Sequence, residues 1–267
     1  MAKMKKSLLL ADIIDQSDVD LILSVELIEN QIRETELHRH AFGQLVGSLE
    51  GLLSVQTESG WWVVPGTHTV WIPPNTLHGA KSHGPFRGWS VYLDPKRSQL
   101  LDSSPKTFQT TPLLKELVHR AASWSDDTSQ AVKSRLSEVL FDEIVNLPET
   151  LFGLLQPGLP SLKKMTDGLL SNLADNRSLE EWARSIGLSS RTLARRFNEQ
   201  TGLGFSEWRQ RARVLSAIEM LADNVPVTNI AFTLGYENVS AFIAMFRRVM
   251  GVTPGQYIQR HNKESIS

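Results

Sequence analysis

SLEEWARSIGLSSRTLARRFNEQTGLGFSEW at residues 178–208 and VTNIAFTLGYENVSAFIAMFRRVMGVTPGQY at residues 227–257 are two copies of one pattern. Ala183 and Gly187 overlie Ala231 and Gly235 at a shift of 48 residues; after one inserted residue, Phe197, Gly202 and Trp208 overlie Phe246, Gly251 and Tyr257 at a shift of 49. Each copy predicts a short amphipathic helix, a turn at glycine, and a second helix ending at another glycine. Glycine accepts the positive φ that such a turn demands. Ala183 and Ala231 stand four residues before the turn glycine, where a small side chain lets two helices approach. Phe197 and Phe246 are placed to anchor each second helix, and Ser178 with Glu181 forms a capping box. In such a unit the second helix is the one that enters a DNA major groove.

The second copy carries Ile230-Ala231, Leu234-Gly235-Tyr236, Phe242, Phe246-Arg247-Arg248, Gly251, Thr253-Pro254 and Tyr257. In this order and spacing the segment resembles the DNA-binding domain of the AraC/XylS family of bacterial transcription regulators. The resemblance covers about the last 100 residues, and a tandem is far more specific than a lone helix-turn-helix.

In the first second-helix, Leu193 and Phe197 must face the core, which leaves Arg191 and Arg195 together on the outward side. Ser190, Arg191, Thr192, Ala194, Arg195 and Arg196 are the candidate DNA surface of this unit. The resemblance implies that Arg191, Ala194 and Arg195 face bases, and arginine is the natural reader of guanine. A single arginine serves a phosphate as readily, and Arg196 is the better phosphate candidate. The second unit offers Val239, Ser240, Ala241, Ile243 and Ala244, with Asn238, Arg247 and Arg248 beside them. Only Ser240 among the small residues can hydrogen-bond a base edge, so specificity is expected mostly in the first unit. WRQRARVLSAIEMLA (208–222) predicts a long helix between the units. By resemblance it sets both recognition helices on one face of DNA, about 34 Å apart.

Charge follows the same division. Residues 161–267 hold 14 Lys+Arg against 10 Asp+Glu and residues 1–160 hold 14 against 19, so a chain of net charge −1 has a basic half and an acidic half. The basic half is the repeat, as binding to phosphate requires. There is no cysteine, which excludes disulfides and thiolate metal sites. No apolar run has the length of a membrane span. The opening MAKMKKSLLLADIIDQ is not a secretory signal, because acidic residues follow at once without a small-residue cleavage site. A cytoplasmic protein is expected.

Toward the N-terminus the pattern changes. Residues 1–36 form a lead-in with strand character over 21–32. From 37 to 94 come short strands punctuated by turns at Gly51, Ser59-Gly60, Pro65-Gly66, Pro73-Pro74-Asn75 and Gly84-Pro85. Even spacing of short strands argues for a sandwich or barrel. His38-Arg39-His40, then Gln44 and Gly51, then Pro73-Pro74-Asn75-Thr76-Leu77-His78 resemble the two cupin motifs. Gln44 stands where the family has an acidic ligand, and Asn75 where it has glycine; asparagine also tolerates left-handed backbone, so that turn survives. His38 and His40 alternate onto one face of a strand. With His78 they could present three imidazoles to Zn, Ni, Cu or Fe(II), with the Gln44 oxygen as a weak fourth ligand. Alternatively the same residues, with Trp71, line an emptied pocket for an organic effector. No cofactor beyond this candidate divalent metal is implied. Trp61 and Trp62, being adjacent, should point to opposite faces. His68 and His83 sit beside turns and are expected at the surface.

TPLLKELVHRAASW and SQAVKSRLSEVLFDEIVNL give two amphipathic helices within 111–147. Val132, Leu136, Val139, Leu140, Ile144 and Leu147 make one stripe, which buries either on the barrel or on its twin in a homodimer. LQPGLP (155–160) reads as a linker that few contacts cross.

The expectation is therefore a multi-domain α+β chain. A cupin-like jelly-roll barrel spans 1–108, a helical dimerisation segment 109–154, the linker 155–160, and an all-α domain with tandem helix-turn-helix units 161–267. The function expected is a DNA-binding transcription regulator responding to a small-molecule or metal effector. Its partners would be double-stranded promoter DNA and a second copy of itself, with RNA polymerase a further candidate and no membrane. No enzyme is expected. The alternatives are a metal-dependent cupin enzyme fused to a DNA-binding domain, and a regulator whose barrel only oligomerises.

Overall fold

The computed structural model describes residues 23–29, 32–125, 127–150 and 153–264, so the opening segment judged not to be a signal lies outside the described residues. Among the described residues, nine strands form one antiparallel sheet: β1 (Leu23–Glu29), β2 (Glu34–His38), β3 (Gly43–Thr57), β4 (Gly60–Val64), β5 (His68–Ile72), β6 (His78–Leu93), β7 (Lys106–Gln109), β8 (Glu149–Thr150) and β9 (Gly153–Leu155). The order runs β1-β6-β3-β5-β7-β8, with β2 on β6 and β4 between β3 and β9. Among the described residues this path does not return to its start. The expected barrel is thus an open, curled sheet.

β3 and β6 explain the curl. They are the longest strands and pair along nearly their whole length, from Gly43↔Leu93 to Thr57↔His78, with the register shifting between Ser48, Glu50 and Leu52. Gly51 and Gly84 sit at this level with φ of 77° and 76°. Both were expected as turns. They are bulges that bend two continuous strands, since positive φ at glycine serves a bulge as well as a turn. Asn75 does take the left-handed turn, with φ 59°.

Side-chain alternation splits the sheet into two faces. Leu45, Trp71, Val91 and Leu93 pack with Leu114, Leu117, Leu140, Phe141 and Ile144. The helical residues come from α2 (Pro112–Ala122) and α3 (Gln130–Val145), which follow the single turn α1 (Pro95–Ser98). Val46, Leu53, Val55, Val64, Val70, Ile72 and Phe86 form the other face. The stripe on α3 therefore divides. Leu140, Ile144 and Leu147 are buried on the sheet, whereas Val132 and Val139 stay 38% and 50% exposed.

The remaining helices are α4 (Pro160–Ser171), α5 (Leu179–Ser185), α6 (Ser190–Thr201), α7 (Phe205–Ala222), α8 (Val227–Thr233), α9 (Val239–Met250) and α10 (Pro254–Glu264). α5–α6 and α8–α9 are the two repeated units, and α7 joins them. Ala183, Ala231, Phe197 and Phe246 are all buried, as the pattern demands. The capping box of Ser178 and Glu181 is formed, and Ser189 and Asn238 cap α6 and α9 by accepting from the Thr192 and Ala241 amides. Gly187 and Gly235 turn the chain at φ 70° and 80°.

The two turn glycines differ in their surroundings. A Cβ at Gly235 would lie 2.7 Å from the Ala174 Cα, whereas one at Gly187 meets nothing within 4 Å. Gly187→Ala is expected to cost about 1–2 kcal/mol, the left-handed penalty alone. Gly235→Ala should cost at least about 1 kcal/mol more, because backbone must also move. Thermal melting of both variants checks this; equal losses would show that the Ala174 contact yields freely.

The segment at 155–160 is not the contact-poor linker expected. Leu154 is fully buried in the same core as Leu52 and Val63 of the sheet and Trp208 of α7. The Trp208 Nε1 donates to the Leu155 carbonyl at 2.7 Å, and the Gln156 amide donates to the Ser59 carbonyl at 2.9 Å. The two halves share a packed boundary. No helix among the described residues is long and apolar enough to cross a membrane.

Candidate functional site

Two surfaces carry the chemistry. On the helical half, Arg191, Ala194 and Arg195 are exposed along α6, Ser190, Thr192 and Arg196 are half-buried, and Leu193 and Phe197 point into the core. Arg195 is paired along the helix with Glu199 at 2.7 Å, and both side chains are well exposed. On α9, Ser240, Arg247 and Arg248 are exposed, while Val239 and Ile243 are half-buried against the core. The Arg248 Nη2 donates to Gln210 Oε1 at 3.0 Å. The Asn238 side-chain oxygen Oδ1 already accepts from the Ala241 amide at 2.8 Å, which makes Asn238 a helix-starting residue first.

The second surface is a cavity of about 270 Å³ on the concave face of the sheet. That size suits one small molecule. Val46, Leu53, Val55, Ile72, Phe86 and Trp89 supply apolar wall, and His38, Gln44, His78, Ser90 and Tyr92 gather at one end. Arg33 and Arg39 also line it. Among these lining residues there is no carboxylate.

The three histidines do converge. One ring nitrogen from each of His38, His40 and His78 lies within 4.8 Å of the others. His38 ends β2 and His40 lies just beyond it, so alternation on a strand is not what aligns them. Their rings are 5.9 Å apart, and His78 stands 4.4 Å from His38 and 5.0 Å from His40. Burial holds the His78 pKa down at about 4 and also lowers that of His40, because a charged imidazole loses its hydration there. Burial likewise raises the pKa of Tyr92. At pH 7 His40 and His78 are thus neutral.

Trp71 is not part of this wall. Val70 and Ile72 take the cavity side of β5, so Trp71 projects to the helix-covered face, where its Nε1 donates to the Asp102 carbonyl at 2.8 Å. Trp89 and Phe86 line the cavity instead. His83 is a further correction. Gly84 is a bulge, not a turn, and His83 is 6% exposed, enclosed at the boundary between the two halves. Its Nε2 lies 2.8 Å from Ser54 Oγ and its Nδ1 3.3 Å from Asp223 Oδ1. Glu219, on α7, accepts from Ser54 Oγ and from Trp61 Nε1 at 3.1 Å. Trp62 is in the sheet core, so the adjacent tryptophans do face opposite ways.

Comparison with known proteins agrees with both halves. Residues 23–142 match the AraC-like ligand binding domain, and residues 182–260 match the helix-turn-helix domain typed HTH_18. The HTH-type transcriptional regulator NimR of Escherichia coli K12 is 31% identical over 225 residues, spanning 84% of this chain and 82% of NimR. The HTH-type transcriptional regulator RipA of Corynebacterium glutamicum is 40% identical over 104 residues, but that is 38% of this chain and 31% of RipA. Among solved structures, ToxT of Vibrio cholerae with an unsaturated fatty acid bound covers 89% of this chain and 94% of its own at 14% identity and a TM-score of 0.38. With a ligand-binding sheet domain, a tandem helix-turn-helix and a relative matched over most of its length, the chain belongs to the AraC/XylS family of transcriptional regulators.

Proposed function

We infer that the protein binds promoter DNA in the cytoplasm as a homodimer, and that a small effector in the sheet cavity alters how the helical half is presented. The observation that carries this reading is the exposure of Arg191 and Arg195 side by side on a capped helix, in a half of net charge +4. Arginines so placed can enter a major groove together, while the alanines and Ser240 of α9 offer few base contacts. Val132 and Val139, left exposed on α3, support pairing with a second copy there.

The cavity and the DNA-binding half are joined through two strands. On β3, Leu53 and Val55 face the cavity and Ser54, between them, bonds Glu219 of α7. On β6, Ser82 faces the cavity and His83, next to it, faces Glu219 and Asp223. A ligand that moves either strand moves a residue held by the helix linking both DNA-binding units.

In vitro selection on random duplex DNA with the full-length protein tests this. The expected result is an enriched site with two contact segments about one helical turn apart per protomer, with sequence information concentrated in the segment under α6. Recovery of unenriched DNA would sink the reading.

A further inference from the structure

We propose that the loop at 172–177 is a brace that fixes the angle between the two recognition helices, with Arg213 and Asn176 as its positioning residues. The brace restricts the protein to DNA sites with one spacing between their two contact segments. This rests on the reading that both helix-turn-helix units meet DNA.

The loop leads from α4 into the first unit, and it is fastened in three directions. Arg177 ties it to the first unit. Its guanidinium holds the Asp175 carboxylate at 2.6 Å and lies 3.6 Å over the Trp182 ring of α5. Arg209 and Arg213, one turn apart on α7, reach the loop from the same face of that helix. Arg209 donates to the Arg177 carbonyl at 2.8 Å. Arg213 donates through Nε to the Leu173 carbonyl and through Nη2 to Asn176 Oδ1, both at 2.8 Å.

The third fastening is to the second unit. Asn176 Nδ2 donates to the Gly235 carbonyl at 3.2 Å. One amide group thus accepts from α7 and donates to the turn between α8 and α9. Arg213 stands 5.3 Å over the ring of Tyr236, a cation–π contact, and that ring meets Phe242 of α9 at 5.6 Å. Gly235 lies so near the loop that an added Cβ would come within 2.7 Å of the Ala174 Cα. Arg213 is only 6% exposed. A buried guanidinium is costly unless its N–H groups are met, and its planar fork lets one side chain hold two acceptors of the loop at once.

α7 is one continuous helix of 18 residues, and both units share its core. A single rod fixes how far apart two bodies stand along its axis. It does less to stop either from rolling around that axis, which a cross-link between them does. The loop supplies the cross-link. Of the two turn glycines, the second is the one that meets it, since a Cβ at Gly187 finds nothing within 4 Å. Roll decides register, because B-DNA turns by about 35° for each base pair.

The chain has no cysteine, so Asn198→Cys on α6 and Val249→Cys on α9, both exposed, accept spin labels at chosen places. Pulsed electron resonance on the free full-length protein should give a narrow distribution of distances between them. Arg213→Ala and Asn176→Ala should each roughly double its width, as release of a rolling motion between packed bodies would. Asn176 is exposed, so that variant should keep its fold even if the Arg213 variant melts early. Gly187→Ala strains a turn outside the brace and should destabilise without broadening. On DNA, two base pairs added between the segments of the selected site rotate them apart by about 70°. That insertion should weaken wild-type binding roughly a hundredfold, as losing one or two base contacts does, and weaken binding by the two brace variants less than about tenfold. Broadening in both brace variants, none in Gly187→Ala, and relaxed spacing on DNA carry the proposal. It is overturned by a distribution as narrow in Asn176→Ala as in the wild type, by equal broadening in Gly187→Ala, or by an unrelaxed spacing preference in both brace variants. The label distance is read without DNA, so failure of the brace and failure of the DNA-binding reading are distinguishable.

Discussion

Arg195→Ala is expected to remove discrimination at one or two base positions and to weaken specific binding by about 1–3 kcal/mol, the worth of a bidentate arginine–guanine pair. The pair that Arg195 makes with Glu199 at 2.7 Å does not block this role. Both side chains are well exposed, and such a pair is worth less than about 1 kcal/mol in water. A groove that excludes water and adds phosphate charge offers the guanidinium more than Glu199 does. Arg191→Ala should act similarly at a neighbouring position, and the double variant should bind selected and random DNA with nearly equal affinity. Ser240→Ala is the contrast. One neutral hydroxyl on α9 should cost under about 1 kcal/mol. Site selection repeated with each variant reads the difference position by position. Equal loss of specificity from Arg195→Ala and Ser240→Ala would mean that the two units share recognition evenly.

The difference between the outward-facing residues of the two units is legible in the sequence, and so is the unit itself. The helix-turn-helix is built from short-range signals. Gly187 and Gly235 must turn, Ser178 must cap, and Leu193 and Phe197 leave only one side for Arg191 and Arg195. Each of these statements joins residues within one or two helical turns. The convergence of His38, His40 and His78 was also in view, although His40 lies past its strand and arrives by a turn. What escaped depends on partners far along the chain. Gly51 and Gly84 call for positive φ, which a turn and a bulge satisfy equally; only the pairing of β3 with β6 separates the two. Trp71 has the residue type of a pocket wall, but the phase of β5 turns it to the helix-covered face. The burial of His83 depends on Glu219 and Asp223, at the end of α7, the latter 140 residues away along the chain. The curled sheet stays open for the same reason: strand closure is a property of register, which local pattern does not contain.

Glu219→Ala is expected to lower the first thermal transition by roughly 6–12 °C, from a loss of about 3 kcal/mol. The carboxylate accepts from Ser54 and Trp61 across the boundary and lies 3.6 Å from His83 Nε2, and its side chain is 20% exposed against 5% for His83. Removing it leaves the half-buried Trp61 indole N–H and the Ser54 hydroxyl without their acceptor and takes a neighbouring negative charge from the buried His83. The His83 contacts also make the boundary pH-dependent. Burial works to lower its pKa, but the hydrogen bond and charge of Glu219 and the charge of Asp223 outweigh that and raise it above the ordinary value. The geometry agrees, since Ser54 donates to Glu219 and so accepts from Nε2–H, while Nδ1 faces the Asp223 carboxylate. A raised pKa places the stabilisation fully below about 6.5, the unfolded value, and removes it as pH rises through the folded value. The wild type should therefore lose its margin over His83→Gln on going from mildly acidic to alkaline solution. Glu219→Gln separates the two contributions. It keeps an oxygen for Ser54 and Trp61, so most of the melting temperature should return, but it takes the neighbouring charge from His83, so the pH dependence should shrink. If Glu219→Gln instead melts as low as Glu219→Ala with the pH dependence intact, the boundary is held by Asp223 and packing, and the strand-to-helix route through Ser54 and Glu219 is not how the cavity reaches the DNA-binding half.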